Sequence, residues 1–320
     1  MRSTRLVTQV ASAFVTVLVV VSGNFVLFRA LPGNAASDLS GVPNASPTLR
    51  LSLIHEFGLD KPLWEQYVLY VDQLAHGNLG VSFDNEQPVA SNLLGALGNT
   101  VPMVALGTAL GILAGTVTGF VAAWRRRTKL DHLSTTTALC LFSCPTQWLG
   151  LLLLSAFAGI LPTVGRTDPF LVHPSFWHHA HDVLAHMLLP SATIALGLFG
   201  GYALIVRAAL LSALSEGYVL LAKAKGLSSF AVVRRYALRN AVLPTTTWIA
   251  LALGHLVTGA ILVETVFSWP GIGRAIYQAV LDRDYPTLQG AFLLVTLSVV
   301  VCNLAVDVGY RRLDPRVTQP

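Results

Sequence analysis

The chain has 320 residues, of which 53% are apolar and only 12% charged, with a formal net charge of +5. A soluble globular domain carries about a quarter of its residues as Asp, Glu, Lys and Arg, so this composition excludes one. The excess of positive charge does not indicate nucleic-acid binding either, because the basic residues are not clustered and interleaved with aromatics as that function requires.

Apolar runs long enough to cross a bilayer, 18 residues or more, recur six times, at about 7–31, 100–124, 133–160, 184–206, 242–267 and 288–310. The linkers between them are too short or too polar to form a core, so residues 1–320 read as one transmembrane domain. The first run follows a basic start, Arg2 and Arg5. Its apolar stretch Val10–Phe28 exceeds a signal-peptide core of about 7–15 residues, and it reads as a retained span. Residues 32–99 form the longest external segment. Within it, Leu51, Ile54 and Phe57, then Leu63, Tyr67, Tyr70 and Leu74, recur at helical spacing. Asp60 is placed to cap the second of these helices and Pro62 to fill its first turn. Such helices suit the membrane surface or the pore mouth; a packed cap with no ligand role fits equally. GNLGVSF, Gly77–Phe83, reads as a strand or loop able to meet a partner protein.

The second span begins near Pro102 and carries Gly107, Gly111, Gly115 and Gly119. Four-residue spacing puts them near one helical face, where another helix can approach closely. Trp124 and the basic run to Lys129 anchor its end. The third span contains Ser143-Cys144-Pro145-Thr146-Gln147-Trp148. Pro145 is expected to bend it. Gln147, a polar group at membrane depth, lines the pore or bonds between helices. Next comes an external loop rich in histidine: His173, His178, His179, His181 and His186. No acid or cysteine stands beside them at a metal-ligand spacing, and HExxH is absent, so no metal site is assigned.

The fourth span passes Gly197, Gly200 and Gly201 to Arg207 and opens into a polar loop, residues 207–244. That loop holds Lys223, Lys225, Arg234, Arg235 and Arg239 against the single acid Glu216. Two short helical patterns meet at Gly226, where a left-handed residue lets the chain turn, and Ser228 or Ser229 can cap the second. The fifth span ends at Glu264, beside the turn Trp269-Pro270-Gly271, whose Trp suits an outer interface. In the sixth, Asn303 and Asp307 share one face, with Arg311 a further four residues on. A carboxylate there must face protein or water, which reads as structural. Cys140, Cys144 and Cys302 all fall within spans and show no disulfide or metal spacing.

Charge sets the orientation. If the linkers alternate sides, fifteen of the 21 Lys and Arg residues lie on one side and six on the other. The richer side is cytoplasmic, which places both termini inside.

AKAKGLS followed by RRYALRNAVLP resembles the cytoplasmic coupling loop of ATP-binding-cassette (ABC) importer permeases, in particular the branch that carries peptides and nickel. FGLDKPLWEQYVLY with GNLGVSF, ETVFSWPGIGRAIYQAVLDRDYP and NLAVDVGYRRLDPRV resemble the same branch, so the likeness runs over nearly the whole chain. The sequence departs from the pattern at Leu220, where the broad importer motif has Glu, and at Arg239, where it has Pro. It also departs at Asn34-Ala35, where Asp-Pro is usual, and at Tyr236, where His is common. The resemblance implies an all-α, type I importer permease with six membrane helices, in a bacterial inner membrane. It implies that Ala222, Ala224, Gly226, Leu227, Arg235, Leu238, Arg239 and Asn240 couple to an ATPase, and that Glu264, Trp269, Pro270 and Gly271 lie near an extracellular gate or docking site, to which the polarity of Gln147 adds a pore-lining candidate. It also implies the partners: a second homologous permease, two ATPase subunits bound at the cytoplasmic loops and an extracytoplasmic substrate-binding protein, with membrane lipid around the spans.

The residues agree with a subunit that takes its energy from elsewhere. The chain has no GxxxxGK[ST] phosphate loop and no catalytic constellation, so no catalytic residue, metal or cofactor is assigned, and ATP with Mg is expected on the partners. Peptide is the expected cargo and nickel or a metal chelate the alternative. A stand-alone secondary transporter would show inverted repeats and midplane ion ligands, neither of which is evident. A metal-dependent membrane enzyme built on the histidines is the remaining competitor.

Overall fold

The computed structural model describes residues 2–30, 61–171, 175–227, 231 and 261–313. Helices numbered among these residues are α1 (Arg2–Ala30), α2 (Leu63–Ala75), α3 (Val89–Trp124), α4 (Lys129–Ser143), α5 (Thr146–Phe157), α6 (Phe176–Ser215), α7 (Gly217–Ala224), α8 (Ile261–Val266), α9 (Ile272–Leu281) and α10 (Tyr285–Leu313). The only β pairing among them is an isolated bridge between Val81 and Pro88. Among the described residues four helices are long and apolar enough to cross a membrane, or five when the bent pair α4 with α5 is counted as one span. Most of the expected fifth span, 242–267, lies outside the described residues. Large apolar side chains such as Phe14, Val19, Leu113, Leu133 and Leu152 are exposed along these helices, as lipid-facing surfaces require.

The chain divides into two compact units: Met1–Asn99 with Gly271–Val301, and Thr100–Pro270 with Cys302–Pro320. In the first, α2 is held to α1 by polar and aromatic contacts. Ser22 Oγ and Tyr67 Oη are 2.8 Å apart, and Phe25 meets Tyr67 edge-on at 5.2 Å. Asn24 Nδ2 donates to the Gln289 carbonyl at 2.9 Å and to Tyr70 Oη at 3.3 Å, which brings α10 to the same place. Burial pushes the Tyr70 hydroxyl above its ordinary pKa. Pro62 stands just before α2 as its cap residue, with no side-chain cap bond, and not in the first turn; Asp60 lies outside the described residues. The segment from Gly77 to Pro88 forms a loop closed by the Val81–Pro88 bridge. Ser82 Oγ pins it by donating to Asp284 Oδ2 at 2.6 Å, an oxygen that also accepts from Thr287 Oγ1 at 2.7 Å.

In the second unit, α6 is the post on which the others stack. A Cβ placed at Gly107, Gly111 or Gly115 would lie 2.7–2.8 Å from the carbonyl oxygens of Ser191, Ala195 and Phe199, and at Gly119 the Ala203 carbonyl stands closer still. Side-chain atoms essentially never come that near, so the four glycines let α3 ride directly on the α6 backbone. On another face of α6, Gly200 admits Ala138 and Phe142 of α4, and Gly197 lies against Thr146 of α5.

Three boundaries differ from the sequence reading. The second span starts at Val89, so Pro102 lies inside α3. At about 1.5 Å per residue its 36 residues extend well beyond the ~30 Å hydrocarbon thickness. The third span begins at Lys129 and bends where Pro145 was expected to bend it, so sharply that α4 meets α5 at 105° across Cys144–Pro145. Pro145 supplies the cause, since its ring cannot continue the helix and its missing N–H removes a bond. The histidines do not form a loop. Ser175 Oγ accepts the His178 amide and caps α6, so His178, His179, His181 and His186 all lie on that helix; His173 lies outside the described residues.

Candidate functional site

Past Arg207 the chain remains helical to Ser215, and α7 follows after Glu216. Val219 and Ala222 are buried and pack with Leu214, Tyr218 and Leu227. The end of α7 is a Schellman motif. Gly226 has φ +78, and the Leu227 amide reaches back to the Ala222 carbonyl at 3.3 Å. Leu227 covers Ala222, the apolar contact that accompanies such caps. Of the expected coupling residues, Ala222, Ala224, Gly226 and Leu227 are therefore gathered on one capped turn. Ala224 and Gly226 face outward while Ala222 faces in. Arg235, Leu238, Arg239 and Asn240 lie outside the described residues.

On the helix that leads to this turn stands an ion pair that the sequence reading did not single out. Asp131, on the first turn of α4 and 2% exposed, accepts from Arg207 Nε at 2.7 Å and from Arg207 Nη2 at 3.0 Å. Its carboxylate also takes the Arg127 amide at 2.9 Å and Thr135 Oγ1 at 3.3 Å. Thr128 caps the same helix. The signal was present in Thr128-Lys-Leu-Asp131, a Thr-x-x-Asp helix start, but nothing in the sequence links it to Arg207.

The gate candidates separate into buried and open positions. Glu264 on α8 is fully buried, and Thr100 Oγ1 donates to its Oε1 at 2.6 Å. The Trp269 amide donates to the Glu264 carbonyl at 2.9 Å, and Ser268 adopts φ +52, which turns the chain out of α8. Trp269 is 1% exposed and packs with Met103, Met187, Val263 and Phe267. It is a core residue and not an anchor in the interface. The Gly165 amide donates to the Phe267 carbonyl at 2.9 Å, which fastens the loop after α5 to the same turn. Pro270 is exposed, and Gly271, the residue before α9, belongs to the first unit. Gln147 is half-buried in the first turn of α5. Asn303 is exposed on α10, and the side chains of Asp307 and Arg311 lie outside those described. Among the described residues no group of three His, Cys, Asp or Glu side chains is placed to hold a metal.

A family model described as "Binding-protein-dependent transport system inner membrane component" matches residues 107–319, and its amino-terminal counterpart matches residues 3–104. A dipeptide transport system permease protein of Escherichia coli K12 is 34% identical over 312 residues, covering 92% of each chain. A di/tripeptide transport system permease protein of Pseudomonas aeruginosa is 35% identical over 309 residues, again 92% of each. A glutathione transport system permease protein of Escherichia coli O6:H1 is 35% identical over 297 residues with the same coverage. Among solved structures, the inward-facing MetNI methionine ABC transporter aligns with TM-score 0.56 at 19% identity, over 69% of this chain and 96% of that one. An amino acid ABC transporter with histidines aligns with TM-score 0.52 at 12% identity, over 76% and 97%. At such identities these structures speak for the fold.

Proposed function

Since the chain belongs to the family of binding-protein-dependent transport system inner membrane components, we propose that it is the permease subunit forming half of the pore of an ATP-driven importer of di- and oligopeptides. The observation that carries this reading is end-to-end similarity to dipeptide, di/tripeptide and glutathione permeases, over 92% of this chain and 92% of theirs. Those cargoes favour peptide over nickel or a metal chelate. The chain itself is non-catalytic and binds no cofactor: ATP and Mg sit on two ATPase subunits, and a second permease and an external binding protein complete the assembly. Residues 1–320 form one six-span domain in a bacterial inner membrane, with both termini in the cytoplasm, as the charge distribution favours.

In this reading the capped turn at Gly226 presents Ala224 and Gly226 to the ATPase, and Arg235, Leu238, Arg239 and Asn240 serve the same coupling. Ala222 and Leu227 hold its shape from within. On the opposite side, Glu264 and the Trp269-Pro270-Gly271 turn, with Gln147, form a gate region. Asn303 and Asp307 are structural. Purification of the tagged chain from its native membrane in mild detergent tests the assembly: an ATP-hydrolysing subunit and a second permease are expected in the eluate. A chain that transports while purifying alone contradicts it.

A further inference from the structure

Arg207 lies on α6 two helical turns before its end, and α7 is packed directly onto that end through Leu214. The same guanidinium grips Asp131 at the start of α4 with two parallel bonds, at 2.7 and 3.0 Å. Asp131 is saturated: its two oxygens also take the Arg127 amide, at the left-handed turn where Arg127 has φ +62, and the Thr135 hydroxyl. Gly119 closes α3 onto α6 at Ala203 and Val206, one turn away. Three helices are thus tied at one level. Beyond the tie, α4 bends through 105° into α5, where Gly150 approaches Val266 and Phe267 at the foot of the Trp269 turn.

We propose that Asp131 and Arg207 are positioning residues for coupling: the fork makes the α4–α5 arm follow α6, so that displacement of the α7 turn reaches the Trp269 turn. This rests on the permease reading above. The bond geometry is the reason to assign more than stability. A planar guanidinium holding both oxygens of a buried carboxylate fixes distance and rotation together, whereas a lysine ammonium supplies only a point charge. Neither residue contacts a substrate. Their effect passes through α4 and α7.

The test compares the unsubstituted complex with Arg207→Lys and Asp131→Glu, each reconstituted with its ATPase subunits and loaded binding protein. The readouts are recovery of the assembled complex and peptide taken up per ATP hydrolysed. Both variants keep opposite charges in place; Arg207→Lys abolishes the fork, and Asp131→Glu shifts it by one methylene from its present position. The expected result is normal recovery with uptake per ATP reduced roughly five- to tenfold, near the lower end of ordinary coupling effects. A native ratio in Arg207→Lys shows that charge alone suffices and overturns the proposal. If both variants fail to assemble, the pair is a folding element and the proposal also falls. If the unsubstituted complex neither retains an ATPase nor takes up peptide, the permease reading fails first and the role of the pair goes with it.

Discussion

Replacing Gly226 by Val isolates one property of the coupling turn. A Cβ at Gly226 meets nothing within 4 Å, so the substitution adds no clash, and its cost comes from the backbone. At φ +78 a β-branched residue pays about 1–2 kcal/mol, which corresponds to a roughly five- to thirtyfold loss in the population of the formed turn. The Leu227–Ala222 bond and the Leu227 contact depend on that turn and weaken with it. Membrane insertion rests on α3 and α6 and is expected to be unchanged. The assay is ATP hydrolysis by the reconstituted complex with and without loaded binding protein. Stimulation should fall in the order Gly, Asn, Ala, Val, because Asn tolerates left-handed backbone best among the three replacements. Gly217→Ala is the matched control: it too has open space around it, no positive φ is found there, and stimulation should persist. Full stimulation in Gly226→Val would refute the argument that this turn must be rigidly left-handed to transmit force.

Gly115→Ala should cost about 1–3 kcal/mol of stability, because the new methyl would stand 2.7 Å from the Phe199 carbonyl and from Tyr202 Cβ. Gly95→Ala, with nothing within 4 Å, should cost nothing, and thermal aggregation of the purified protein separates the two. Thr100→Val removes the donor to the buried Glu264 carboxylate and should destabilise by about 1–3 kcal/mol, read as lower recovery of folded protein. Replacing His178, His179 and His181 together by Ala should leave uptake nearly unchanged; a loss confined to a metal cargo would restore the metal reading. Cysteines at Ser91 and Ser228, in a background without the three native ones, should label from opposite sides of the membrane, and same-side labelling would overturn the six-span topology.

What could be read from the sequence was local. The Gly226 cap, the Pro145 break and the glycine row of α3 each follow from one residue type at one spacing, and the structure places all three as those rules require. The extension of α3 and α6 into polar sequence was hidden because helices continue past the hydrocarbon wherever a cap allows, here from Ser175. For the same reason histidines expected in a loop lie on a helix, with His178, His179 and His181 on its surface and His186 buried against Asp182. Trp269 shows a different limit. A Trp beside Pro and Gly carries the signature of an interface, and only the packing of Met103, Met187 and Phe267 around it makes it core. The Asp131–Arg207 fork, the Thr100–Glu264 bond and the Ser82–Asp284 bond join residues far apart in the chain. No pattern along one sequence announces such pairs.

The central claim, ATP-driven import of peptide through this subunit, is tested most directly in proteoliposomes containing the chain, its co-purified permease and ATPase subunits, and the binding protein loaded with a labelled dipeptide. With ATP supplied on the cytoplasmic face, label should move across the membrane against its gradient, and it should stop when this chain is omitted. Transport that proceeds equally without ATP, or without the binding protein, would contradict the account.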